Sequence, residues 1–231
     1  MSNKKLCLAL DGLSLDDSLK IVRQLGSRSY AVKVHALLDQ DGPRMISLLR
    51  DYGAERIWVD AKFNDTKDTV GYRVAALRNH EVDIVTVHAS GGVPMMCEAV
   101  QAAGDQTEIW AITVLTSLDD EEIGEIYGQE RTRQQIVTAF AHMAKRAGVA
   151  GLVCSAQEVG TLSTDPYLSG LKLVVPGTRS AGVPLGQQKR SGTPAQAVLD
   201  GATYLVAGSQ VTKSDDPLGA FNAMEAEIKD A

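Results

Sequence analysis

Three ionisable side chains, Asp60, Lys62 and Asp65, fall within six residues where an apolar run ends. Ile57, Val59 and Ala61 alternate with Trp58, Asp60 and Lys62, the period-two pattern of a β-strand, so Asp60 and Lys62 point to the same side. A carboxylate and an ammonium on one face of a strand end, with a second carboxylate close behind, have the make-up of a catalytic charge array. Other polar groups stand at equivalent places: Asp11, Lys33, His88, Thr116 and Ser155 each follow or end an apolar run. Gathering Asp11, Lys33, Asp60 and Lys62 on one rim would add little net stability as ion pairs, which favours chemistry over a structural role. No His, Cys and carboxylate cluster has metal-site spacing, and no Ser stands in a nucleophile elbow.

The elements that must position these groups are legible as eight short apolar runs. They are Leu6 to Asp11, Tyr30 to Val34, the run ending in Asp60 and Lys62, Val82 to His88, Ile109 to Leu115, Gly151 to Cys154, Leu171 to Val175 and Tyr204 to Ala207. Cys7, Ala9 and Asp11 share one face of the first and Leu6, Leu8 and Leu10 the other, as in a strand buried on both sides. Helical patterns separate the runs: Leu15 to Leu25 behind the cap Ser14, Pro43 to Arg50, about Asp65 to Asn79, Pro94 to Ala103, Asp119 to Tyr127, Thr132 to Ala147, Gln157 to Leu162, Pro194 to Leu199 and Pro217 to Lys229. Strict alternation implies parallel strands with right-handed crossovers, and eight repeats imply a (β/α)8 TIM barrel, read as one domain over residues 1–231. A doubly wound open sheet is the alternative. In a barrel the polar groups above sit where active sites are built, at the strand C-terminal ends.

Composition narrows the partners. Lys and Arg number 23 against 29 Asp and Glu, a net charge of −6, and no basic run exceeds two residues. That balance argues against a nucleic-acid or anionic-membrane partner, so an anionic small molecule must meet a local basic site. The three cysteines, Cys7, Cys97 and Cys154, have no metal-like spacing and fit a reducing, cytoplasmic setting. The apolar run after Lys5 is too short for a signal peptide, and no window approaches a membrane span.

A phosphate site is expected after strands seven and eight. Strand seven runs into Pro176-Gly177-Thr178-Arg179, and its loop carries Gln187-Gln188-Lys189-Arg190; strand eight runs into Gly208-Ser209-Gln210. The loop over 176–192 is long enough for a lid.

These residues resemble a known family. Asp60-Ala-Lys62-Phe-Asn-Asp65 is similar to the Asp-x-Lys-x-x-Asp signature of the orotidine 5'-monophosphate decarboxylase family. Leu8-Ala9-Leu10-Asp11, Val32-Lys33-Val34, Thr86-Val87-His88-Ala89-Ser90-Gly91-Gly92, Val114-Leu115-Thr116-Ser117, Val153-Cys154-Ser155 and Pro176-Gly177-Thr178-Arg179 resemble their family counterparts in order. The resemblance implies decarboxylation of orotidine 5'-monophosphate to uridine 5'-monophosphate, the last step of de novo pyrimidine synthesis, with no cofactor and no metal. It implies that Lys62 protonates C6, that Asp60 faces the substrate carboxylate, and that Lys33 completes the array. Asp65 would join from the other subunit of a homodimer. Asp11 and, across the interface, Thr69 would hold the ribose; Thr116 and Ser117 would lie by the pyrimidine; Arg179, Gln188, Gly208 and Ser209 would lie by the phosphate.

Three places depart from the family pattern. Gly208-Ser209 stands where Gly-Arg is usual, which removes a bidentate contact to phosphate that Arg179, Lys189 or Arg190 would have to replace. Thr66-Lys67 stands for Ile-Pro, and His35 for a small residue. Two other readings follow. One is a Mg2+-dependent sugar-phosphate decarboxylase or aldolase of the same superfamily, whose signature usually continues with Ala-Gly. The other is a nucleotide-binding homologue with little or no turnover.

Overall fold

The structure, a computed structural model, describes residues 4–180 and 192–229. In chain order it runs β1 (Leu6–Ala9), α1 (Leu15–Leu25), β2 (Ala31–Val34), α2 (Ala36–Asp41), α3 (Arg44–Asp51), β3 (Ile57–Phe63), α4 (Lys67–Arg78), β4 (Ile84–His88), α5 (Val93–Ala103) and β5 (Glu108–Ile112). It continues with α6 (Asp120–Tyr127), α7 (Arg133–Ala147), β6 (Gly151–Val153), α8 (Val159–Ser163), β7 (Lys172–Val175), α9 (Pro194–Leu199), β8 (Tyr204–Ala207), α10 (Ser209–Thr212) and α11 (Pro217–Lys229). The eight strands close into a barrel in sequence order, every pair parallel, with β8 returning to β1 through Leu6↔Leu205, Cys7↔Val206 and Leu8↔Ala207. This is the TIM barrel expected from the alternation.

Two short helices, α2 and α10, were not expected. Several strands also end sooner than their apolar runs. β1 stops at Ala9 and β5 at Ile112, so Asp11 and Thr116 stand on the loops above them. α4 begins at Lys67, so Asp65 precedes it.

The strand faces divide the core. Cys7, Ala9, Ala31, Trp58, Ile84, Trp110, Ile112, Val153, Val174 and Val206 fill the barrel interior, while the alternate residues pack against the helices. Trp58 and Trp110 meet edge to face at 4.9 Å, and Tyr30 stacks on Tyr204 at 3.7 Å. Charges tie the strand N-terminal ends together below them. The Glu108 carboxylate accepts from Lys172 at 2.7 Å, from Arg56 at 2.9 Å and from the Trp110 indole at 2.9 Å. Arg56 also donates to the Tyr30 hydroxyl at 2.7 Å. The helices are capped as their sequences dictate: Asp119 and Thr132 form reciprocal capping boxes with Glu122 and Gln135. None of the helices among the described residues is long and apolar enough to cross a membrane. Cys7 and Cys154 are buried and Cys97 is exposed.

Candidate active site

β3 supplies the centre of the site through an irregularity. Val59 pairs with Val85, but the next pair is Phe63 with Val87, so four steps along β3 match two along β4. The two extra residues make a bulge of the kind that re-aims side chains. Lys62 lies inside it with φ of 50°, a left-handed conformation that costs a non-glycine residue about 1–3 kcal/mol. Its backbone N–H, displaced from the regular ladder, donates to the Thr86 hydroxyl at 3.1 Å. The same hydroxyl donates to Asp60 Oδ1 at 2.7 Å. Thr86 is fully buried, so one side chain of β4 fixes both the strained lysine and the carboxylate beside it.

From Asp60 the charges alternate. Lys62 Nζ donates to Asp60 Oδ2 at 2.6 Å, Lys33 Nζ donates to the same oxygen at 3.2 Å, and Lys33 also reaches both oxygens of Asp11 at 2.7 and 2.9 Å. Lys33 and Asp60 are buried, Lys62 is about a third exposed, and Asp11 opens to solvent. Burial by itself pushes the Asp60 carboxyl up; the neighbouring Lys33 and Lys62 charges and the hydrogen bonds from Lys62 and Thr86 outweigh it and hold the group at about 2. For Lys33, burial favours the neutral amine, and the Asp60 and Asp11 charges outweigh that and raise it above its ordinary value. Both groups are therefore charged at neutral pH. His88, at the end of β4, is lowered by burial and then by the Lys62 charge.

The array lines one cavity of about 560 Å³, in the size range of small-molecule sites. Trp58, Ile112, Val153 and Val206 give it apolar walls, and Leu115 and Thr116 flank it above β5. On the side of β7 and β8 it is lined by Gly177, Arg179, Gly208, Ser209 and Lys213. Arg179 donates to the Ser209 hydroxyl at 3.1 Å.

The Orotidine 5'-phosphate decarboxylase / HUMPS family matches residues 4–224. The chain belongs to this family. A protein of Pseudoalteromonas translucida named orotidine 5'-phosphate decarboxylase is 39% identical over 98% of each chain. One of the same name from Streptococcus sanguinis is 36% identical over 98% of this chain and 99% of its own. The crystal structure of orotidine 5'-phosphate decarboxylase from Lactobacillus acidophilus superposes with a TM-score of 0.82 at 29% identity, covering 98% of this chain and 99% of that one.

Against the decarboxylase-family signature, the expected residues fall into three groups. Asp11, Lys33, Asp60, Lys62, Thr116, Arg179, Gly208 and Ser209 share the cavity. Asp65, Thr69 and Ser117 do not line it. Asp65 is exposed and accepts from its neighbour's backbone, Thr66 N–H, at 2.6 Å, and the Thr69 hydroxyl meets that of Thr66 at 2.9 Å. Ser117 is exposed on the loop after β5. Gln188, with Lys189 and Arg190, lies outside the described residues. Ser155 also misses the cavity; its N–H is capped by Glu158 at 3.0 Å. His35 faces a separate cavity of about 320 Å³, with Arg73 and His80 beside the outer face of β3. Two residues were not foreseen. Thr86 stands in the sequence only as the start of a run shared with the family, and its role depends on the bulge opposite it. Lys213 follows a four-residue helical turn too short to show a period.

Proposed function

We propose that this chain is a carboxy-lyase that converts orotidine 5'-monophosphate to uridine 5'-monophosphate. The observation that carries this reading is the Lys33–Asp60–Lys62 contact chain, held rigid by Thr86 and set in a nucleotide-sized cavity. The bond from C6 of the pyrimidine to its carboxylate breaks, carbon dioxide leaves, and the electron pair stays on C6. Lys62, already beside Asp60, stabilises that charge as it develops and then gives its proton to C6, to be reprotonated from water. Asp60 facing the substrate carboxylate puts two negative charges together, and the repulsion is relieved as carbon dioxide departs. Asp11 bonds a ribose hydroxyl, and Arg179 with the backbone at Gly208 and Ser209 takes the phosphate.

In this reading the whole of residues 1–231 works as one barrel domain, and the enzyme is a cytoplasmic homodimer in which Asp65 of the partner subunit joins the array and Thr69 of the partner subunit meets the ribose. Two features support the dimer. Asp65 and Thr69 do not line the cavity of their own chain, and Tyr72, one turn beyond Thr69 on α4, is 78% exposed. The test is turnover of orotidine 5'-monophosphate in EDTA, followed by loss of substrate absorbance. Wild type is expected to turn over and Lys62→Ala to lose about a hundred- to a thousandfold in kcat, the scale of a lost charge-stabilising group. Equal rates for the two proteins would refute the assignment, and turnover that requires added Mg2+ would point to the sugar-phosphate branch of the family.

A further inference from the structure

The cavity holds a cation whose place in the chemistry is unassigned. Lys213 lines the same wall as Arg179, Gly208 and Ser209, one residue beyond the turn α10. The two acids on the cavity wall, Asp11 and Asp60, both engage Lys33. The β7–β8 side of the lining carries two positive groups, Arg179 and Lys213. Ser209, the residue that departs from the family's arginine, is not idle there. Its hydroxyl accepts from Arg179 Nη2 at 3.1 Å and so aims the guanidinium along the cavity wall.

We propose that Lys213 and the Ser209-held Arg179 together form the subsite for the substrate's phosphate monoester dianion, so that the charge missing at position 209 is supplied from position 213. This rests on the decarboxylase reading for the identity of the substrate. The physical case is charge matching: a dianion needs about two positive groups, and an ammonium serves as a point charge beside a guanidinium that supplies the directional fork. Burial lowers Arg179 from its ordinary value, and a docked anion favours its charged form. The tight turn from β8 into α10 places residues 209 and 213 one helical turn apart, with Lys213 N–H bonded to Ser209 O at 3.1 Å, and both residues line the cavity.

The test compares Lys213→Gln with wild type in two measurements. In the first, the KM for orotidine 5'-monophosphate is expected to rise about tenfold or more, the range for one charged hydrogen bond. In the second, calorimetric binding of uridine 5'-monophosphate is expected to weaken by the same factor, while binding of uridine, which lacks the phosphate, stays within about twofold. Equal loss for the nucleotide and the nucleoside, or a nucleotide affinity within twofold of wild type, would overturn the assignment. Ser209→Arg supplies a second, opposite check. It removes the Arg179 anchor, so its KM is expected to be unchanged or higher; a markedly lower KM would show the phosphate grip to be deficient and Lys213 not to fill the gap. The binding arm does not need turnover, so a wild type that binds uridine 5'-monophosphate through Lys213 but fails to decarboxylate would defeat the functional reading and leave the subsite standing.

Discussion

Thr86 is a small side chain on which two larger ones lean. Its hydroxyl serves the Lys62 backbone and the Asp60 carboxylate at once, from a fully buried position. Thr86→Val keeps the shape and removes both bonds, leaving a buried N–H and a buried carboxylate oxygen short of a partner. That costs about 1–3 kcal/mol of stability. The kcat is expected to fall about tenfold or more, through a misplaced Lys62, with a smaller change in KM. The pH profile should move as well. Asp60 is held at about 2, so its contribution to stability is complete above the ordinary carboxylate range and is lost only as pH falls through about 2. Without the Thr86 bond the smallest of the contributions that lower Asp60 is lost while the Lys33 and Lys62 charges remain, so the carboxyl rises only slightly and the acid limb of kcat/KM moves slightly to higher pH. Thr86→Ser, which keeps the hydroxyl, should behave like wild type; a Thr86→Val protein with wild-type kcat would show that Thr86 only fills space.

At the scale of elements, the strands and longer helices were legible in the sequence because each spans a full period. Leu15–Leu25 and Pro217–Lys229 have the expected bounds, and Ser14 caps the first helix as its side chain and spacing imply. What escaped was either too short or set by a neighbour. α2 has six residues and α10 four, less than two turns, so neither shows a repeating apolar face. The charges of Asp60 and Lys62 were legible, but the strict alternation used to place them does not hold. The bulge inserts two residues, an even number, and that is why the side chains still share the cavity. The knot beneath β3, β5 and β7 was also invisible, because Arg56, Glu108 and Lys172 are 52 and 64 residues apart in pairs and meet only on barrel closure. Glu108→Gln tests it. Two part-buried cations lose their shared anion, so the melting temperature should fall by several degrees, from about 1–3 kcal/mol, with kcat unchanged. A melting temperature equal to that of wild type would mean solvent already screens the cluster.

For the molecule as a whole, the barrel sorts charge by end. Groups at the strand C-terminal ends line the cavity, and groups at the N-terminal ends brace the fold. The proposed dimer adds a relation between copies that one chain cannot display. Lys62→Ala and Asp65→Ala proteins, each nearly inactive, should recover activity when their subunits are mixed and exchanged. One intact site per mixed dimer, with half of all dimers mixed, gives about a quarter of the wild-type rate. A mixture no faster than its parents would mean that Asp65 does not work across the interface.

The tryptophans below the array carry a consequence for traffic. Trp58 and Trp110 are 1% and 0% exposed, and with the stacked Tyr30 and Tyr204 they stopper the barrel from beneath. The site is thus a cup and not a tunnel. Among the described residues nothing opens behind Asp60, so in the decarboxylase reading a gas set free there must slip past the nucleotide that released it, or wait for that nucleotide to go.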